Sequence, residues 1–340
     1  MGDPSASHPA AAVTRRSVLK WAAAATAASV VPPILAGPGR AEAGSASAAP
    51  VSARSNFHVV YDDLRARDRF FLFLQNVYHL YPESEFHQLI LDATREHAGD
   101  EAIYRALQAR LPGIKPFLSE ATWGLPALRK QKDEIADQTA ALLAGSRPIR
   151  GYVEIGTPGR YVNAIRRRIP IEGSIWLVND YEPGFSPNDI AERGQLTPVG
   201  EFVGLGAYDP FDERGIAPES VELVSNFIGF HHAPPERRAR FVEAAWRVLV
   251  PGGRLIVRDH DVDAEEMDAF VALAHDVFNA GLAVPWERNA AEIRNFTSIT
   301  GLEAVLGAAG FEKTAARRFQ RHDPTQNALM VFVKPVARVA

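Results

Sequence analysis

From Pro148 onward the sequence alternates short apolar runs with amphipathic ones, and that rhythm leaves few folds open. Tyr152–Ile155, Ser174–Val178, Glu201–Gly204, Val221–Ile228 and Arg254–Val257 read as strands, with helices between them, notably over Pro235–Leu249 and Ala264–Asn279. Strand and helix in alternation build a parallel sheet with helices on both faces. The end of the chain differs. Phe311–Arg321 and Asn327–Lys334 flank an Asp323-Pro324-Thr325-Gln326 turn. That is a hairpin, so one strand near the sheet edge must run antiparallel.

The part before Pro148 has another texture. Phe70, Phe71, Leu74, Val77 and Tyr78 recur at helical spacing, Phe86, Leu89, Ile90 and Ala93 repeat it after Pro82, and Lys132–Leu143 is amphipathic. Residues 56–147 are therefore expected to form a helical N-terminal layer or cap beside an α/β domain at 148–336. The Ala/Ser-rich stretch 44–55 reads as a flexible linker. Residues 1–43 read as a leader: Arg15-Arg16 in Thr14–Lys20, an Ala-rich apolar run to Ala36, then Ala41-Glu42-Ala43 as a small-x-small cleavage pattern. This resembles a twin-arginine export signal, which implies the export machinery as a partner and a periplasmic or secreted protein. The apolar run is too short and too Ala-rich for a stable membrane anchor.

Composition narrows the chemistry. The chain of 340 residues has no cysteine, which excludes disulfides, thiolate nucleophiles and cysteine-ligated zinc. Its net charge of -4 gives no argument for a nucleic-acid partner. No Ser-His-Asp arrangement, phosphate-binding Lys loop or His-Glu-x-x-His helix is visible.

Four local patterns carry chemistry. In Gly151–Tyr161 a strand ends in Glu154, breaks into Gly156-Thr157-Pro158-Gly159 and re-enters a helix over Tyr161–Arg168, which suits a nucleotide-type cofactor. Asp180 ends the next strand, 24 residues beyond Gly156, near the spacing at which a carboxylate meets a ribose diol. Ser220–Asn226 leads into Phe230-His231-His232. Ala244–Val257 turns a helix through Pro251-Gly252-Gly253 into an apolar strand.

Taken in order, these patterns resemble a class I S-adenosylmethionine-dependent methyltransferase of the small-molecule type, over about Lys132 to Pro335. The resemblance implies a Rossmann-like seven-stranded mixed sheet, six strands parallel and one antiparallel from the terminal hairpin. It implies S-adenosylmethionine as cofactor, a small-molecule methyl acceptor, and Glu154, Gly156, Gly159, Asp180, Asp209 and Asn226 as cofactor-binding residues. The loop departs from the family's acidic-x-Gly-x-Gly-x-Gly pattern: it is one residue short or replaces glycines with Pro158 and Arg160. Proline has no N–H to give a ligand.

Beyond the cofactor, His231, His232 and His260 follow the fourth and fifth strands, and His322 and Asp323 sit in the hairpin turn. They are expected to share one rim of the sheet, with His232, His260 or His231 as the general base that deprotonates an acceptor. No residue is assigned to a metal, yet two other functions stay open: a metal-assisted hydrolase using His and Asp of that rim, and a binding protein or pseudoenzyme that keeps the fold without the cofactor.

Overall fold

The computed structural model describes residues 54–78, 81–116, 124–143 and 148–336. The leader at 1–43 and nearly all of the linker lie outside the described residues. Ser55, the last linker residue, accepts a hydrogen bond from the His58 amide and so starts the first helix.

Seven strands form one sheet in the order β3-β2-β1-β4-β5-β7-β6. They are β1 Ile149–Ile155, β2 Ile171–Asn179, β3 Glu201–Gly204, β4 Val221–Asn226, β5 Leu249–His260, β6 Glu312–Phe319 and β7 Asn327–Val333. Strand β7 is antiparallel to both β5 and β6, and the other pairings are parallel. This is the expected Rossmann-like topology, six strands parallel and one antiparallel. Its interior strands β1 and β4 are buried at nearly every position because both faces are covered.

The helices are α1 Asn56–Tyr61, α2 Leu64–Phe73, α3 Glu83–Glu96, α4 Asp100–Ile114, α5 Leu125–Leu142, α6 Val162–Arg166, α7 Pro187–Arg193, α8 Pro235–Val248, α9 Glu265–Gly281, α10 Trp286–Ala290 and α11 Ile299–Ala308. A π-helical turn, Leu74–Tyr78, continues α2. Helices α1 to α4 share one apolar core with α9. Phenols fasten the two parts: Tyr78 donates to the Val277 carbonyl (3.2 Å), Tyr81 to Gly281 (3.1 Å) and Tyr104 to Val284 (2.7 Å). Helix α9 is consequently buried at almost every position from Met267 to Ala280. Helix α5 packs instead against α6 and the β6–β7 hairpin, and Ile135 and Ala136 join the core under β1.

Three expected elements have different limits. The Pro251-Gly252-Gly253 segment is not a turn between helix and strand: β5 already begins at Leu249 and carries these residues as a bulge. Gly252 takes φ +80°, its amide donates to Lys334, and the Lys334 amide returns a bond to Gly253, so the extra residues stay paired. Strand β4 stops at Asn226 rather than Ile228, because the Asn226 side chain accepts from the Ile228 amide and turns the chain. Helix α6 is only Val162–Arg166, shorter than Tyr161–Arg168. The Arg168 amide closes a tight last turn on Ile165, and Pro170 disfavours helix in the residue before it.

Candidate active site

The glycine turn after β1 is buried and satisfied from within. Glu154 accepts from the Thr157 hydroxyl, the Tyr161 amide (3.2 Å) and the Tyr152 phenol (3.0 Å). Burial pushes its carboxyl up, against the pull of those donors. The Gly156 amide donates to Val178, and the Gly159 and Arg160 amides both donate to the Thr157 hydroxyl. A Cβ on Gly156 would lie 2.1 Å from Ile228 Cδ1, and one on Gly159 would lie 2.3 Å from Val199 Cγ2. Both glycines also have positive φ. They admit close approach of the chain's own side chains. The Arg160 side chain turns inward to a buried ion pair with Glu192. Of the cofactor residues expected here, Glu154, Gly156 and Gly159 hold the turn itself together.

The ends of β2 and β3 are different. Asp180 Oδ2 is buried without a hydrogen-bond partner, and burial alone pushes its carboxyl up to about 6. The Tyr208 hydroxyl is likewise buried and unpartnered. The phenol's ionisation is suppressed by burial first, then by the negative charges of Asp180, Asp259 and Glu292. The phenol thus feels the charge of Asp180 and that of the carboxylates behind the histidine rim. Tyr208 reaches this place from a strained turn in which Ala207 and Tyr208 take φ 53° and 67°, with the Arg214 guanidinium packed over Gly206. Asp209, expected near an adenine, is drawn the other way: it pairs with Arg214 (3.1 Å) and Arg237 (3.0 Å) and is half exposed. Asn226 spends its carbonyl on the Ile228 amide.

The rim histidines converge, and a fourth joins them. His231 and His232 have ring centroids 4.1 Å apart, and His260 lies 5.6 Å from His231. His275, from α9, lies 5.4 Å from His231 and 5.5 Å from His232. Phe296 covers the group, 5.0 Å from His231 and 5.3 Å from His275. Outer partners fix the rings. His231 Nδ1 meets Asp259 at 2.6 Å, His232 Nδ1 meets the Ile293 carbonyl at 3.2 Å, and His260 Nδ1 meets the Thr325 carbonyl at 3.0 Å. With Nδ1–H donating in each, the neutral ring has its lone pair on Nε2. Burial, reinforced by His231, pushes His232 down to about 3; burial, partly offset by Glu292, pushes His275 down to about 4. His260 is driven well below its usual range by the same cause, so these imidazoles are neutral at pH 7. His322 and Asp323 lie in the hairpin turn, where Asp323 caps Thr325 and so shapes the carbonyl that holds His260.

His275 and Tyr208 were not singled out from the sequence. His275 did leave a trace: with Asp276 it interrupts an otherwise apolar helical run, Phe270 to Phe278. An imidazole and a carboxylate on a helix buried all round need partners.

No family model matches the chain, and no curated protein matches it. Solved structures do resemble it. One is Burkholderia thailandensis 1,6-didemethyltoxoflavin-N1-methyltransferase, with 1,6-didemethyltoxoflavin and S-adenosylhomocysteine bound (14% identity, TM-score 0.42, 61% of this chain and 81% of that one). A second is a putative methyltransferase from Haloferax volcanii in complex with the Trm112 activator (16%, TM-score 0.44, 68% and 97%). A third is the CurJ carbon methyltransferase (15%, TM-score 0.43, 80% of each chain). At these identities the likeness is one of fold.

Proposed function

We propose that this protein is an S-adenosylmethionine-dependent methyltransferase acting on a small-molecule acceptor. The observation that carries this is the pair of buried, unpartnered oxygens, Asp180 Oδ2 and Tyr208 Oη, at the ends of β2 and β3. A desolvated carboxylate without a donor is costly unless a ligand supplies one. A ribose diol supplies two hydroxyl donors at this place in such a sheet. The residues present thus fit the nucleoside end of the cofactor. They fit its amino-acid end less well, since the amides of Gly156, Gly159, Arg160 and Tyr161 are already donated within the turn. When bound, the cofactor supplies an electrophilic methyl group.

The chain's own residues do the rest. Asp180 and Tyr208 anchor and orient the nucleoside. Phe296 and the helical layer over α9 keep water from the rim. His260, its Nδ1–H held on the Thr325 carbonyl and its Nε2 3.5 Å from the Asn327 amide nitrogen, is the general base for an acceptor hydroxyl or amine once bound substrate displaces that amide, and His231 and His232 border the acceptor. Positioning supplies most of the rate.

Calorimetric titration of the purified protein with S-adenosylmethionine and S-adenosylhomocysteine tests this. Binding is expected, weakened about tenfold or more by Asp180→Asn, consistent with loss of a charge-assisted hydrogen bond. No heat at millimolar ligand refutes it. We further propose export in folded form through the twin-arginine route. Retention of an Arg15→Lys, Arg16→Lys variant in the cytoplasm supports that; its normal export refutes it. Among the described residues no helix is long and apolar enough to cross a membrane.

A further inference from the structure

Three imidazoles at the rim present a problem in electrostatics. His231, His232 and His275 are each at most 4% exposed, and Nε2 of every one lacks a hydrogen-bond partner. One ring nitrogen from each lies within 4.8 Å of the other two. In the neutral rings of His231 and His232 the proton sits on Nδ1, where Asp259 and the Ile293 carbonyl receive it. His275 Nδ1 faces the Glu292 carboxylate at 3.7 Å, and His232 Nδ1 approaches the same carboxylate at 3.8 Å. In the neutral rings the unpartnered nitrogens therefore carry lone pairs within one buried cluster, with the Asp259 and Glu292 carboxylates behind them. Lone pairs arranged in this way repel one another unless something positive sits between them.

The surroundings are built to hold this arrangement. Glu292 is fixed by Arg294 (2.8 Å), which also binds Asp276 (2.7 Å), and Asn289 ties Asp276 back to Asn279. Asp259 is fixed by the Phe230 and His260 amides at 2.8 and 2.9 Å. A histidine whose outer nitrogen is held by a carboxylate or carbonyl is the usual form of a metal-ligating histidine, because that bond sets the tautomer and raises ligand basicity.

We propose that His231, His232 and His275 bind one divalent transition-metal ion, zinc by preference, through Nε2, with Asp259, the Ile293 carbonyl and Glu292 as outer partners. Nitrogen ligands without thiolate suit zinc and its first-row neighbours. Zinc–nitrogen bonds of about 2.1 Å put tetrahedral ligands about 3.4 Å apart, so the rings close in by rotamer shifts of about 1 Å. Three protein ligands leave the fourth position open, as in catalytic zinc sites, where the ion polarises a bound oxygen. His260 then stands beside an ion-bound oxygen as its proton acceptor. Asp259 and His260 are respectively the outer partner and the neighbouring base. The site does not depend on the methyl-transfer proposal.

The test uses the full chain, stripped with chelator and titrated with zinc and with cobalt(II). One equivalent is expected to bind, with the visible bands of a four-coordinate cobalt site. His275→Gln and His232→Asn, each checked for native circular dichroism, are expected to weaken zinc binding at least about 100-fold, and Asp259→Asn about 10- to 100-fold. No stoichiometric binding by the native chain overturns the proposal, as does unchanged affinity in folded ligand variants. Should both ligand variants fail to fold, the native cobalt spectrum decides: bands of a four-coordinate nitrogen site support it, and an aquo-ion spectrum overturns it.

Discussion

Asp180→Asn should make this protein more stable at neutral pH, and the gain should vanish in acid. Burial lifts the Asp180 carboxyl from 3.8 to about 6, and no donor repays the lost hydration. Above pH 6 the group is ionised in both states and the folded one bears the penalty. Below pH 3.8 it is neutral in both and there is none. Stability is therefore lost as pH rises between those values. A displacement of that size corresponds to roughly 3 kcal/mol at neutral pH. The group is only partly buried, so solvent screening reduces this to about 1–2 kcal/mol. With a urea m-value of about 3 kcal/mol/M, the midpoint of Asp180→Asn should lie about 0.3–0.7 M above that of the native chain at pH 7.5. At pH 4 the two should nearly coincide. S-adenosylhomocysteine should raise the midpoint of the native chain and do so far less for the variant. Equal midpoints at pH 7.5, or a gain that persists at pH 4, would refute the idea of an unpaired buried carboxylate kept for a ligand.

Gly156→Ala forces a Cβ to within 2.1 Å of Ile228 Cδ1 at φ +83° and should cost about 2 kcal/mol or more; adding Ile228→Ala should relieve the steric part and leave the backbone part, measured as a double-mutant cycle. Arg160→Met leaves Glu192 buried and unpaired and should cost about 3–5 kcal/mol in urea unfolding, while Arg160→Met with Glu192→Met should recover most of it. Gly281→Ala places a methyl 1.9 Å from the Tyr78 hydroxyl and should lower the melting temperature by an amount worth about 1–3 kcal/mol, by prising α9 from the N-terminal helices. Tyr208→Phe removes a hydroxyl with no partner; thermal stability should hold or rise slightly, while calorimetric affinity for S-adenosylhomocysteine falls about fivefold or more.

The fold was readable in the chain because its signals are local. Strand runs, the Asp323-Pro324 turn and the helix leading into Pro251-Gly252-Gly253 each depend on neighbours in sequence, and together they implied six parallel strands and one antiparallel. Element ends were less readable, since Asn226 and Pro170 act through single hydrogen bonds and steric contacts. At the site, the expectation that His231, His232 and His260 share a rim followed from strand order, and they do meet. The individual roles were another matter. Asp209 was as good a candidate as Tyr208 by position, yet Arg214 and Arg237 draw the carboxylate outward while a positive-φ turn sends the phenol inward.

By itself, then, the sequence determined a sheet of known topology, a rim rich in imidazole and a loop short of donors, because each of these is written in consecutive residues. Only the tertiary structure decided that the loop's amides are spent on Thr157 and Glu154, and that a histidine 43 residues beyond His232 completes the cluster. Helix α9 delivers His275 there while the N-terminal helices cover its apolar residues. That packing couples two distant parts of the chain, and no local pattern encodes where they meet.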